Sequence, residues 1–111
     1  MASKPKMGLQ LYSLRTMIEG HVPETLRALS RMGYKGVEFA GTYNLPAAEL
    51  RKMLDDAGLV SSGAHVSMQA LSAEQFEKTA EMYRTLGTDR LIVPWIKMDD
   101  MDAIIDELNA I

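Results

Sequence analysis

Apolar positions in this chain come in two alternating rhythms. Val22, Leu26, Leu29 and Met32 recur at helical spacing, as do Leu50, Met53, Leu54 and Ala57, then Phe76, Ala80, Tyr83 and Leu86. Each set predicts a helix with one buried stripe. Between them lie short runs of strand character. Leu9 to Leu14 alternates apolar and polar side chains, Gly36-Val37-Glu38-Phe39 and Val60 to Val66 follow, and Leu91-Ile92-Val93 is fully apolar. A glycine stands where each of the first three helices ends, at Gly33, Gly58 and Gly87, and a strand follows each time. Glycine takes the left-handed conformation that closes a helix at little steric cost. A helix, a closing glycine and a strand, three times over, predict parallel strands joined by helices.

The stretch from Gly33 to Gly41 shows the unit at its clearest, with one carboxylate, Glu38, between two apolar neighbours of a short strand. Pro23 and Pro46 suit the first position of the helices they open, where a missing N–H costs nothing. Ser72 and Gln75 predict a capping box for the third helix, with Leu71 stapled against Phe76. A fourth helix is expected to start near Asp99 and Asp100, whose charges favour a helix N-terminus. Its stripe is Met101, Ile104, Ile105, Leu108 and Ile111, and no glycine or proline closes it. The chain reads as cut inside, or at the end of, a repeating α/β architecture. The expected fold class is α/β, four parallel strands alternating with four helices, the (β/α)4 half of a TIM barrel whose full form needs ~250 residues.

Composition narrows the functional classes. The 111 residues make one domain with a real core, and 47% hydrophobic with 24% charged residues is ordinary for a globular chain. A net charge of −3 gives no electrostatic attraction to nucleic acid or an anionic membrane, so neither is expected as a partner. No stretch approaches the ~20 apolar residues of a membrane span. With no cysteine, disulfides and thiolate metal sites are excluded, and a cytoplasmic location is expected. Residues 1–6 read as a disordered lead-in and 7–111 as the domain. The nine methionines fall mainly on core stripes. No glycine-rich phosphate loop and no HExxH motif occurs.

Several stretches, taken in order, carry a family likeness. They are Gly8-Leu9-Gln10-Leu11-Tyr12-Ser13-Leu14-Arg15 and Met32-Gly33-Tyr34-Lys35-Gly36-Val37-Glu38-Phe39, then Leu54 through Gly58-Leu59 to His65, and Leu86-Gly87-Thr88 with Leu91-Ile92-Val93-Pro94-Trp95. Together they resemble the N-terminal half of the xylose-isomerase-like TIM barrels, which include sugar and sugar-phosphate isomerases and epimerases. The resemblance implies a divalent metal (Mn, Mg, Zn or Co) in a complete member, held by acidic and histidine ligands from strands five to eight. Those strands have no counterpart here, so no metal is expected for this chain alone. His65 matches a strand-three histidine that faces the pocket in the sugar enzymes and binds metal in endonuclease relatives. Glu38 matches the frequent strand-two acid.

A parallel barrel keeps its chemistry at the C-terminal ends of its strands. Alternation puts Gln10 and Tyr12 on one face of the first strand, and the apolar neighbours of Glu38 and His65 point both of these inward. A pocket of Tyr12, Glu38, His65 and Trp95 suits a sugar or polyol, with polar groups for hydroxyls and aromatic faces for C–H edges. Each residue also has a plainer reading. A lone strand histidine is more often structural than a ligand, Trp95 fits a rim plug, and Tyr12 is similar. Glu38, costly to bury unpaired, either pairs with a cation such as Arg15 or faces a wet pocket. His21 reads as an exposed loop residue, and Asp99, Asp100 and Asp102 as helix-start charges more than a cation site.

Three functions follow. The leading one is a sugar or sugar-phosphate isomerase/epimerase-like protein that supplies the substrate-pocket half and is inactive alone, completed by a C-terminal half-barrel. The second is a self-assembling, non-catalytic half-barrel in which two copies close one ring. The third, a small open α/β binding module, ranks last, because Tyr12-Ser13-Leu14-Arg15 offers no phosphate cradle.

Overall fold

A computed structural model describes residues 6–96 and 101–111. The remaining lead-in positions, and the expected helix start at Asp99 and Asp100 with its acidic cluster, lie outside the described residues. Four parallel strands form one sheet in chain order: β1 (Gly8–Gln10), β2 (Gly36–Phe39), β3 (Val60–His65) and β4 (Leu91–Ile92). Between and after them run α1 (Val22–Arg31), α2 (Ala47–Ala57), α3 (Phe76–Thr85) and α4 (Met101–Asn109). This is the expected alternation of four strands and four helices.

The three glycine stops form as the sequence predicts, with φ of 101° at Gly33, 72° at Gly58 and 77° at Gly87. Around each, two backbone bonds tie off the last turn. Tyr34 N–H donates to the Leu29 carbonyl, Leu59 N–H to Leu54 and Thr88 N–H to Tyr83, each beside the glycine's own bond to the carbonyl three residues back. That pattern satisfies carbonyls a helix end leaves open and turns the chain directly into the next strand.

The core lies between one face of the sheet and α1 to α3. Val37 and Phe39 of β2 and Ala64 of β3 are fully buried, as are Leu26 of α1 and Leu50 of α2, with Leu54 nearly so. Each large side chain taken from water there stabilises the fold by roughly 1.5–3 kcal/mol. Leu11 and Ile18, in the connection from β1 to α1, close the same cluster.

β3 departs from regular pairing. Val37 stands opposite Ser61, but Glu38 stands opposite Gly63, so Ser62 is an extra residue and the register shifts. Side chains alternate along a strand, and one inserted residue reverses that alternation beyond it. Ser61 and Ala64 therefore both face the helices, which an unbroken strand forbids. The Ser61 hydroxyl donates to the Gly63 carbonyl at 3.3 Å and pairs with the buried Thr88 hydroxyl, bridging the bulge.

Four expectations need correction. β1 ends at Gln10, and Leu11–Leu14 is a 3₁₀ turn, so Tyr12 does not sit on the strand. The capping box at Ser72 does not form. A 3₁₀ turn over Gln69–Leu71 and a further turn delay α3 to Phe76, and no side chain caps it. Phe76, now the first helical residue, is 36% exposed, while Thr79 and Tyr83 are the buried positions. Met32 is exposed because it lies one residue beyond the last turn of α1. The apolar stripe of α4 is exposed as well, at Met101, Ile105 and Leu108, and no residue of that helix is buried.

Ser61→Ala tests the bulge. It leaves the Thr88 hydroxyl without its buried partner, and a stability loss of about 1–3 kcal/mol is expected in chemical denaturation. A loss below ~0.5 kcal/mol, the range of neutral surface changes, would show that the chain path alone holds the bulge.

Candidate functional site

Opposite the helix-covered face, three polar side chains meet at the C-terminal ends of the strands. Gln10 is the direct register partner of Glu38, which places their side chains side by side. The β3 bulge carries His65 onto this same face, opposite Ile92 of β4. His65 Nε2 lies 2.6 Å from Glu38 Oε1. The contact is an ion pair when the ring is protonated. The Gln10 amide nitrogen donates to the same Oε1 at 3.2 Å. That nitrogen is also 3.1 Å from His65 Nε2, to which it donates in the tautomer that leaves Nε2 unprotonated.

Two polar atoms are left open. Neither Glu38 Oε2 nor His65 Nδ1 has a hydrogen-bond partner among the described residues. The side chains remain 28% and 14% exposed, so the pair is partly dried yet reachable from the cavity above.

That cavity, about 710 Å³, is walled by Gln10, Tyr12, His65 and Trp95, with Ala40, Gly41, Val66, Ser67 and Pro94 between them. Of the four residues picked from the sequence, Tyr12, His65 and Trp95 line it, and Glu38, outside the lining, is bonded to Gln10 and in contact with His65. Trp95 is 74% exposed and Tyr12 52%, so both stand at the mouth. Sequence reasoning placed Gln10 on the right face but did not count it as part of the site. The only signal available was its equivalence to Glu38 on the neighbouring strand. Arg15 does not pair with Glu38. It stacks on Tyr12, with its Cζ 4.3 Å from the ring centroid. His21 lies at the start of α1, exposed, and makes no side-chain cap.

The loop after β2 borders the same cavity. Leu45 N–H donates to the Thr42 carbonyl across Tyr43 and Asn44, whose φ values are 55° and 60°. Two positive φ angles in succession make a type I′ turn, which Asn accepts readily and Tyr does not. Among the described residues the buried Tyr43 hydroxyl has no hydrogen-bond partner, and its approach to the Ala40 backbone falls short of bonding geometry. Burial pushes this phenol above its ordinary value, and does the same to Tyr83.

No family model matches the chain, and no curated protein matches it. Solved structures do. A sugar phosphate isomerase/epimerase from Parabacteroides distasonis is 25% identical, with a TM-score of 0.77, over 98% of this chain and 45% of its own length. A second sugar phosphate isomerase/epimerase from the same organism is 27% identical, with a TM-score of 0.75, over 96% of this chain and 49% of its own. The chain thus spans about half the length of the solved structures it matches. Its four strand–helix units are half of a TIM-barrel-like α/β fold, and its structural neighbours are the sugar phosphate isomerases/epimerases of the xylose-isomerase-like group. No helix among the described residues is long and apolar enough to cross a membrane.

Tyr43→Phe removes a buried hydroxyl that has no partner, so it should leave stability at neutral pH unchanged or slightly raised. A phenol whose folded pKa exceeds its unfolded one contributes stability that is complete below about pH 10 and is lost as pH rises through the folded value. Melting curves on the alkaline side should therefore fall less steeply for Tyr43→Phe than for the wild type. A loss above ~1 kcal/mol at neutral pH would mean the hydroxyl has a partner after all.

Proposed function

We propose that this chain supplies the substrate-pocket half of a sugar or sugar-phosphate isomerase/epimerase barrel, and that it binds a polyol without turning it over. The Gln10–Glu38–His65 cluster carries the reading. It stands at the C-terminal strand ends, where parallel barrels keep their chemistry, in a fold shared with sugar phosphate isomerases/epimerases. Oε2 of Glu38 and Nδ1 of His65 each accept a substrate hydroxyl. The Gln10 amide, with the His65 ring beside it, holds the carboxylate in place from the other side. Tyr12 and Trp95 offer aromatic faces to the C–H edges of the sugar.

A divalent metal belongs, in this reading, to the complete barrel. When bound there it polarises the carbonyl and adjacent hydroxyl of the substrate. Glu38 and His65 are two donors already engaged with each other, and no group of three or more His, Cys, Asp or Glu side chains stands ready to hold an ion among the described residues. They do not make a metal site by themselves, and the work left to this chain is to bind and orient.

A second reading rests on what the sheet leaves open. β1 and β4 have no outer neighbours among the described strands. Val60 and Ile92, on the face away from the helices, are 65% and 36% exposed. Unpaired edges and exposed apolar positions favour association, and two copies related by a two-fold axis close an eight-stranded ring. In that assembly one lumen holds two Glu38–His65 pairs.

Titrating xylitol into the isotope-labelled chain should shift the His65 ring and Gln10 side-chain amide resonances, and His65→Ala should abolish the response. Assays with added Mn²⁺ or Mg²⁺ should show no isomerisation or epimerisation. Turnover present in the wild type and absent in His65→Ala would overturn the half-barrel reading. Light scattering after size exclusion decides the second reading, for which a stable dimer is expected and a well-folded monomer is fatal.

A further inference from the structure

The loop from β2 to α2 concentrates two conformational costs in one residue. Tyr43 sits at φ 55°, in the left-handed region that bulky side chains avoid, and Asn44 follows at 60°. The turn packs the Tyr43 ring on the core, where its hydroxyl is buried with no hydrogen-bond partner among the described residues. A hydroxyl in that position has lost its water and gained nothing in return, and a phenyl ring there would strand no such group. Strain of this kind gathers at ligand clamps and switch segments.

Little ties the loop down. From 41 to 45 the backbone makes one hydrogen bond, from the Leu45 N–H to the Thr42 carbonyl at 2.9 Å, and it is internal to the loop. No hydrogen bond links those residues to the sheet or to a helix among the described residues. Gly41 stands at the β2 end with φ 114° and no atom within 4 Å of where a Cβ would lie, so nothing crowds a rotation there. At the other end the Pro46 carbonyl accepts the Leu50 N–H at 3.0 Å and begins the ladder of α2. The loop also starts at the cavity, whose wall includes Ala40 and Gly41, and the Tyr43 hydroxyl lies against the Ala40 backbone.

We infer that 41–45 is a strap with two arrangements, one tucked onto the core and one swung about Gly41 over the cavity, and that the swung strap presents the Tyr43 hydroxyl to a bound ligand. Tucking gains the burial of an aromatic ring and carries the stranded hydroxyl and the left-handed backbone against it. Swinging gives up that burial and frees the hydroxyl to meet water or ligand. Opposing terms of similar size are the condition for two populated states. With a polyol in the cavity, the Glu38–His65 pair meets it from one side, and a phenol from the strap adds a group that both donates and accepts. Closure of such a segment also keeps water from the ligand. The ligand contact rests on the polyol reading, and the two arrangements of the strap do not.

Relaxation dispersion on the isotope-labelled full chain, free of ligand, reads the two arrangements directly. Microsecond-to-millisecond exchange is expected at the amides of 42–45, with β2 and the body of α2 quiet. Tyr43→Phe removes the stranded hydroxyl from the tucked form, so the minor population should fall at least about fivefold. Xylitol should move the 42–45 resonances toward the shifts of that minor state. Its binding should weaken about fivefold in Tyr43→Phe, the loss of one neutral hydrogen bond. The dispersed amide spectrum reports that the variant has folded. A loop without exchange, or exchange that Tyr43→Phe leaves unchanged, would overturn the strap. A xylitol response at His65 and Gln10 that is equally strong in Tyr43→Phe removes the ligand contact and leaves the polyol reading standing. No response at either residue removes that reading and the contact together, and the dispersion still decides the strap.

Discussion

Period-two alternation governs which side chains of a parallel sheet meet solvent and which meet the covering helices, and in this molecule it is broken once. The bulge at Ser62 lets β3 put Ser61 toward the helices at its start and His65 away from them at its end. Without the extra residue, a strand that buries Ser61 would bury His65 too, among Leu and Phe side chains where an imidazole has no partner. With it, the ring arrives beside Glu38, a carboxylate that its own strand cannot satisfy. Ser61 and Thr88 close the helix side of the same bulge. The site on one face and the packing on the other therefore share one backbone irregularity.

Around that constraint the electrostatics are local. A half-buried carboxylate costs several kcal/mol unless donors reach it. Glu38 Oε1 accepts the Gln10 amide N–H and lies against His65 Nε2, so both neighbours address one oxygen. The outcome is asymmetric, with one oxygen fixed and the other free. A carboxylate paired bidentately with Arg15 would have had neither property, since both oxygens and the cation would have been used up. The separation of Arg15 from Glu38 leaves Oε2 without a hydrogen-bond partner among the described residues.

The parts legible in the sequence were those where one residue type has one physical job. Gly33, Gly58 and Gly87 mark the helix ends because a positive φ there excludes most side chains, and strand and helix order follow from them. Glu38 and His65 stood out because a polar residue between buried apolar neighbours must face the other way. Register was not legible. Gln10 is a neutral amide on an exposed edge, and only its pairing with Glu38 makes it part of the site. Nor was the local path after each strand. Leu11 to Leu14 continues an alternating pattern, yet the chain coils into a 3₁₀ turn because that buries Leu11 completely while leaving Tyr12 at the mouth. At Ser72 a sequence-perfect cap loses to packing. The Thr79 hydroxyl donates to the Ala70 carbonyl at 2.7 Å and Leu71 is buried, which draws the turn against α3 and moves the first helical residue to Phe76.

The same contrast explains where the fold is complete and where it is not. On the helix side, α1, α2 and α3 pack on one another and on the sheet, and the large side chains there are dry. On the other side, Val60, Ile92 and Trp95 remain in contact with solvent, and α4 carries its apolar stripe outward. Apolar side chains arranged at barrel positions gain their burial free energy only when further strands face them across the lumen. A sheet with one finished face and one unfinished face holds its shape through the finished one, so the polar cluster can be preorganised before anything closes over it. Removing water from such a cluster strengthens the hydrogen bonds within it, because the local dielectric falls.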